Sequence, residues 1–276
     1  MYGVEVTLPG GLAINGSIER RVRFHSLTGK IEQALIEPEM ALDSHGYVTA
    51  ALGFALDSIG GQPVDASNVA DLCVADRQYL MLRLAAMING EQMWLNVGCG
   101  HCDELFDVEI HRSDLPVKEA GPGFPIVTLR VNEWVIDVRV PTGADQEGIG
   151  EQTGDEAIKT LLRSCIVSVN GEAPKEEFID NLTESDIETI DKALDEVSPA
   201  VCTQLLVTCP ECGKEQSAEL NHYHLTGLNG NAFYDKVHTL ALCYHWSEED
   251  ILNMPQSRRN RYLDLINRSN VMTGQV

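Results

Sequence analysis

The sequence predicts an α+β protein built as two tandem repeats of a hairpin–helices–zinc-knuckle module, followed by a C-terminal helical extension. Three observations lead there. Stretches of alternating apolar and polar residues recur between stretches with helical spacing. Two Cys-x-x-Cys pairs, Cys99/Cys102 and Cys209/Cys212, each sit between two alternating stretches. The chain, shifted by 110 residues, falls into register with itself around both pairs. The expected divisions are 1–125 and 126–222 for two α+β modules, each with a cysteine knuckle, and 223–276 for the helical extension.

Taken in order, Val4, Val6 and Leu8, then Val22 and Phe24, alternate with polar residues. Pro9-Gly10-Gly11 and Asn15-Gly16 punctuate them, predicting short antiparallel strands joined by tight turns. After Leu27-Thr28-Gly29, residues Ile31, Ala34 and Leu35 recur at helical spacing. A second helix is expected from Val48 to Ile59, ending at Gly60-Gly61, and a third from Ala75 to Ile88, stopped by Asn89-Gly90. Met93–Val97, the first cysteine pair and Leu105–Ile110 read as strand, knuckle and returning strand. Val127 to Val140 changes phase at Asn132-Glu133, the mark of a hairpin. Glycines at 143, 148, 150 and 154 then make a loop before a helix from Glu156 to Val167, and a further helix covers 184–196. Gln204–Val207 and Ser217–Leu220 flank the second cysteine pair. In the tail, Phe233, Val237, Leu240, Ala241 and Tyr244 line one side of a helix from Ala232 to His245. Ser247-Glu248-Glu249-Asp250 has the acidic first turn of a helix N-terminus, and Pro255 opens a last helix carrying Tyr262, Leu263, Leu265 and Ile266.

The 110-residue shift places Leu52, Ala55, Leu56, Ser58, Ile59 and Gly61 on Leu162, Cys165, Ile166, Ser168, Val169 and Gly171. It also places Asp76 on Asp186, Leu84 on Leu194, Leu95 on Leu205, Val97 on Val207, and the first cysteine pair on the second. Upstream, Leu8-Pro9 matches Val140-Pro141 only at a shift of 132, so the two copies are expected to differ in length there.

A length of 276 residues suits about two domains, and 43% hydrophobic residues suffice for real cores. Forty-two acidic against twenty basic residues leave a formal charge of −22, which argues against nucleic acid or anionic lipid as the main partner. The richest apolar stretch, Tyr79 to Ile88, is broken by Arg83, so no membrane span is expected, and the start lacks the pattern of a signal peptide. A soluble chain of intracellular type is expected. Phosphate-binding, nucleophile-elbow, metalloprotease and dinucleotide motifs are missing. Asp145, Glu147, Gly150 and Glu156 fit a calcium loop, but Ile149 stands where a ligand is required. Nothing supports catalysis or a small-molecule substrate. Residues 141–200 carry fifteen acids against four bases, a solvated face or a docking face for a basic neighbour. Arg258, Arg259, Arg261 and Arg268 make the tail basic, and pairing with acidic protein is expected there rather than with nucleic acid.

Eight cysteines in such a chain read as thiols or metal ligands. Cys73, Cys165, Cys202 and Cys243 are isolated and expected to pack as small hydrophobes. Each Cys-x-x-Cys pair aims two sulfurs at one point, and two pairs make a complete four-cysteine structural zinc site, with Cys99, Cys102, Cys209 and Cys212 as ligands. Closing the loop between the pairs costs about 4–5 kcal/mol of chain entropy. Structural zinc contributes roughly 10–16 kcal/mol, so the closure is affordable. Three alternatives stand beside this: a redox dithiol, which would need a helix rather than a strand after each pair; separate metals held with His101 or with His222 and His224; and a disulfide within each knuckle.

Leu8-Pro9-Gly10-Gly11, Leu27-Thr28-Gly29 before an acid-containing helix, Asp76-Arg77 ahead of the strand and knuckle, and Val140-Pro141-Thr142-Gly143-Ala144-Asp145 form a pattern. With the tail Tyr244-His245-Trp246-Ser247-Glu248 through Pro255 and Arg258-Arg259, it resembles the baseplate hub and assembly proteins of T4-like and related contractile-tailed phages. The resemblance implies a non-enzymatic part of the virion tail baseplate, or a factor that assembles its hub, made in the bacterial host cytoplasm and holding other tail proteins in register. The alternative reading is a cytosolic zinc-ribbon adaptor in transcription or RNA-related complexes.

Overall fold

The computed structural model describes residues 3–37, 44–150, 152–223, 228 and 230–273. The first half opens with strands β1 (Glu5–Ile14) and β2 (Ser17–Phe24), which pair antiparallel across Asn15-Gly16. Both turn residues have positive φ, 51° and 82°, the backbone a two-residue hairpin requires. Helices α1 (Gly29–Ile36) and α2 (Ser44–Ala55) follow, then β3 (Leu56–Ile59) and β4 (Gln62–Pro63), which complete a sheet of order β1-β2-β3-β4. Helices α3 (Ala66–Ala70) and α4 (Val74–Asn89) cover it, burying Leu8, Val22, Phe24, Leu52, Ile59, Leu80 and Leu84 in one core. A hairpin, β5 (Gln92–Gly98) and β6 (Leu105–His111), ends this half.

After β7 (Val117–Lys118), the second half runs through a hairpin, two helices, a strand, two more helices, a short strand and a closing hairpin. Hairpin β8 (Ile126–Val131) and β9 (Trp134–Arg139) leads to α5 (Gly143–Ile149) and α6 (Gly154–Cys165). Strand β10 (Ile166–Val169) pairs with β9, and α7 (Glu176–Asp180) and α8 (Glu184–Val197) follow. Their core gathers Val131, Ile136, Val138, Leu162, Ile166, Ile179 and Ile190. Strand β11 (Ala200–Val201) pairs with β7, and hairpin β12 (Gln204–Thr208) and β13 (Glu215–Glu219) closes the half. Helices α9 (Gly230–Tyr244), α10 (Glu248–Leu252) and α11 (Gln256–Thr273) then bury Phe233, Val237, Leu240, Ile251 and Ile266 against Ile36 of α1. Among the described residues no helix is long and apolar enough to cross a membrane.

The α+β class, the hairpin turning at Asn132-Glu133 and the three tail helices agree with the sequence expectation. Several details do not. The helix expected from Val48 to Ile59 ends at Ala55, and Leu56–Ile59 is strand β3 instead. The open edge of β2 offers a hydrogen-bonding ladder, and Ile59 pairs with Val22 and Leu56 with Phe24. Gly60-Gly61 is therefore the β3–β4 turn. The helix expected from Glu156 to Val167 likewise stops at Cys165, and Ile166–Val169 joins β9. Pro9-Gly10-Gly11 is not a turn but lies inside β1, where the register shifts between Thr7 and Leu12. The bulge frees the Gly10 and Gly11 amides to donate to the Asp76 carboxylate at 2.8 and 2.7 Å. Asp76 is wholly buried, and that burial raises its pKa against the two amide bonds. Leu8-Pro9 lies within β1 whereas Val140-Pro141 leaves β9, so the match at a shift of 132 joins unlike places. Val140-Pro141-Thr142-Gly143 stands instead where Ser26-Leu27-Thr28-Gly29 stands, between hairpin and helix. Cys73 and Cys165 are buried as expected, but Cys243 is exposed on α9.

Two corners lock distant segments together. Thr142-Gly143 fits into the α3–α4 turn: the Gly143 amide donates to the Leu72 carbonyl at 3.0 Å and the Val74 amide to that of Pro141 at 3.2 Å. Thr28-Gly29 fits into the α10–α11 turn in the same manner, Gly29 donating to Met254 at 3.3 Å and Gln256 to Leu27 at 3.1 Å. A buried arginine one turn into each receiving helix, Arg77 or Arg259, lies against the glycine. Arg77 donates to Thr49 Oγ1 at 2.8 Å and to the His45 carbonyl at 2.9 Å. Arg259 donates to Glu32 at 2.6 Å with both side chains 6% exposed. One of the basic tail residues thus pairs with an acid of its own chain. Asp145, first of the calcium-like positions, is engaged by Arg139 at 2.5 and 2.7 Å and by the Thr142 amide at 2.8 Å, closing the N-terminus of α5.

Candidate metal centre

Hairpins β5–β6 and β12–β13 each carry one cysteine pair at the tip, and both tips have the same backbone form. In the first, the Cys99 amide donates to the Glu104 carbonyl at 2.8 Å and the Asp103 amide to the Cys99 carbonyl at 3.0 Å. In the second, Cys209 donates to Lys214 at 3.0 Å and Gly213 to Cys209 at 2.9 Å. The left-handed residue of each tip is Asp103, φ 59°, or Gly213, φ 68°. Aspartate is among the few non-glycine residues that tolerate this conformation.

The alternation of each hairpin puts its apolar side chains on one face, and those two faces pack on each other. Val97, Val207 and Ala218 are buried between them, flanked by Leu95, Phe106, Val108 and Leu205. At the roots, Leu82, Ile110, Leu115, Val201 and Leu220 continue the contact, with β7 and β11 paired alongside. This packing carries the tips together.

All four sulfurs, from Cys99, Cys102, Cys209 and Cys212, lie within 4.8 Å of one another. Two of the approaches cross between hairpins: Cys99 Sγ to Cys212 Sγ at 3.6 Å and Cys102 Sγ to Cys209 Sγ at 3.7 Å. A tetrahedral ion with metal–sulfur bonds near 2.3 Å requires sulfurs about 3.8 Å apart, so the cage has the size of a zinc–thiolate site. The first cysteine of each pair is buried, at 2% and 0% exposure, and the second is exposed. Electrostatics favour a cation. The His101 amide, 3.4 Å from Cys99 Sγ, brings that thiol down to about 7. Cys102 is pushed up to about 12: the Glu104 backbone bond favours its thiolate, but the sulfurs of Cys99, Cys212 and Cys209 crowd it and outweigh that bond. The Cys99 thiolate forms readily and Cys102 resists a second charge beside it, a repulsion that a divalent ion would remove.

Gln216 fastens the two tips beside the sulfurs. Its Nε2 donates to the Gly98 carbonyl at 2.9 Å, and its Oε1 accepts from the Gly100 amide at 2.9 Å. One amide of the second hairpin thus binds the backbone on both sides of Cys99. Sequence reasoning passed over this residue, because a glutamine in an alternating strand carries no local mark of its partner.

His101 belongs to the first tip, but the clustered ligand atoms are the four sulfurs, without its ring. His222 is held by the Cys202 carbonyl at 2.7 Å, its pKa lowered by burial, and His224 lies outside the described residues. Both cysteine tips lead into strands, β6 and β13, rather than into helices. The four sulfurs are free thiols. Four thiolates around one ion would leave no open position for a water or substrate.

A family model described as T4 bacteriophage base plate protein matches residues 12–224, a span containing both cysteine pairs and both Thr-Gly corners. No curated protein and no solved structure matches.

Proposed function

We propose, on the premise that this chain belongs to the T4 bacteriophage base plate protein family, that it is a structural component of the tail baseplate whose rigid body holds neighbouring tail proteins in register. Membership of the family places it in the virion tail. The observation that carries the rigid-body reading is the meeting of four sulfurs from hairpins 107 residues apart. Cys99, Cys102, Cys209 and Cys212 hold a structural zinc ion, which supplies a redox-inert cross-link. Val97, Val207 and Ala218 keep water from the base of that site, and Gln216 holds the backbone around Cys99.

The body comprises two copies of one module, 1–125 and 126–222, and a helical unit, 223–276. The equivalent roles of Asp76 and Asp186 support a duplication. Each sits near the start of the long helix and binds its own hairpin, Asp76 through Gly10 and Gly11, Asp186 through Asn132 at 2.9 Å. The work is structural rather than enzymatic. In support, the buried charges are committed to internal contacts: Arg77 to Thr49 and His45, Asp145 to Arg139, Glu32 to Arg259.

Metal analysis of the purified protein together with protein identification in purified tail particles tests the proposal. One zinc per chain and a fixed copy number in tails are expected. Absence from both tails and tail-assembly intermediates overturns the baseplate role, and a metal-free protein of undiminished stability overturns the zinc site.

A further inference from the structure

The α3–α4 and α10–α11 turns are each filled by a Thr-Gly corner from another part of the chain, but the α7–α8 turn, built alike, is not. Val69, Ile179 and Ile251 hold the same place in the three short helices, and all three are buried. The residue just before each long helix is Cys73, Thr183 or Pro255, and the two of these in filled turns bridge to Thr142 and Thr28. In the third turn Asn181, Thr183 and Glu184 are exposed, and Leu182 is only half-buried where Leu72 is fully buried. Among the described residues no backbone partner meets the Leu182 carbonyl or the Glu184 amide. These are the groups that correspond to the bonded carbonyls of Leu72 and Met254 and the bonded amides of Val74 and Gln256. In α6, which packs on α7, Ile158 is 41% exposed, whereas Val48 of α2, 110 positions earlier, is 0% exposed.

We propose that the α7–α8 turn is the open end of a head-to-tail series and receives a strand–Thr-Gly–helix corner from a neighbouring tail protein. The precedent is internal. The helical unit α9–α11 receives the corner of the first module, and the first module receives the corner of the second. The second module then has the receiving turn left over. Both corners of this chain are occupied at home, so a folded second copy has none to offer, and the occupant is a different polypeptide. Its chemistry is stated by what fills the turn. Ile187 stands where Arg77 and Arg259 stand, so the incoming helix presents an apolar side chain there instead of an acid like Glu32 or Glu147. Glu184 and Glu188 face solvent at this place and favour the positive end of an incoming helix and basic residues on it.

This inference rests on the baseplate reading and on the module equivalence, and its test separates the failures. Glu184 is the first residue of α8, and Thr183 before it is already extended, with φ −82° and ψ 163°. A proline at 184 therefore keeps the helix while removing the docking amide. Full-length Glu184→Pro and Leu182→Asp are compared with wild type for incorporation into purified tail particles, each with its melting temperature. A photo-cross-linking benzophenone residue at Asn181 identifies the neighbour by mass spectrometry. The expected results are an unchanged melting temperature for Glu184→Pro, incorporation down by at least about tenfold, and cross-links to a Thr-Gly corner in another tail protein. Undiminished incorporation of Glu184→Pro, or cross-links that fall on other structure or on a second copy of this chain, overturns the proposal while the baseplate reading stands. Absence of the wild-type chain from tails and their intermediates overturns both.

Discussion

The guanidinium of Arg77 occupies the space in which a Cβ on Gly143 would stand, and Arg259 does the same to Gly29. Neither glycine has a positive φ, so the requirement is for room rather than for conformational freedom. Gly143→Ala and Gly29→Ala are expected to destabilise by about 1–3 kcal/mol through overpacking at a corner. Gly148, in the same helix as Gly143, has open space around its Cβ position. Gly148→Ala is expected to stabilise by roughly 0.5–1 kcal/mol, as helix propensity and reduced unfolded-state freedom dictate. Urea unfolding of the three variants checks the opposite signs, and a shared sign would count against the packing account.

Removing the proposed zinc ion should loosen the joint between the two hairpins. Cys99→Ser, Cys209→Ser and chelation of the wild type are each expected to lower the melting temperature by many degrees, since the metal binding energy is part of the folding energy. Chelation should have no further effect on a variant that holds no metal. Calorimetry with and without chelator reads both outcomes.

Gln216→Ala removes the two bonds that tie the second hairpin to Gly98 and Gly100. Each typical bond contributes about 0.5–1.5 kcal/mol. Because these bonds orient the backbone of a ligand, zinc affinity is expected to fall by roughly 10–100-fold with the protein still folded. Competition with a chromophoric chelator measures the loss.

Acid should weaken the second corner. Burial alone would raise the pKa of Asp145, but the bonds from Arg139 and Thr142 outweigh it, so the folded value lies below the ordinary 3.8. The stability this carboxylate contributes is therefore complete above the ordinary value and lost as pH falls through the lower folded value. Glu32 acts with the opposite sign: burial holds its pKa up despite Arg259, so its contribution fades as pH rises through that raised value. In Asp145→Asn the loss of stability below about pH 4 should be shallower than in wild type. Urea midpoints across the acidic range test the difference.

Arg259→Ala leaves Glu32 buried without its partner and should cost about 3–5 kcal/mol. Replacing both residues by apolar ones of similar size should cost far less. The contrast, read from unfolding curves, distinguishes a buried pair from a surface one.

Much of this molecule was legible locally. Alternation gave each hairpin, because a strand with one buried face repeats every two residues, and the cysteine spacing placed two sulfurs at each tip. The capping residue Ser247 marked a helix start through a bond spanning three residues. Strands β3 and β10 were not legible. Leu56–Ile59 and Ile166–Val169 continue the preceding helical pattern, and only the open edges of β2 and β9 make them strands.

The sequence by itself determined the hairpins, most of the longer helices, the acidic composition and the four thiols in two pairs, since each depends on neighbours within a few residues. Only the tertiary structure decided that Cys99 faces Cys212 and Cys102 faces Cys209, that Gln216 binds across to Gly100, and that each Thr-Gly corner meets a buried arginine. Those contacts join residues 66 to 230 positions apart. No periodicity reaches that far, and chain folding alone brings such groups within bonding distance.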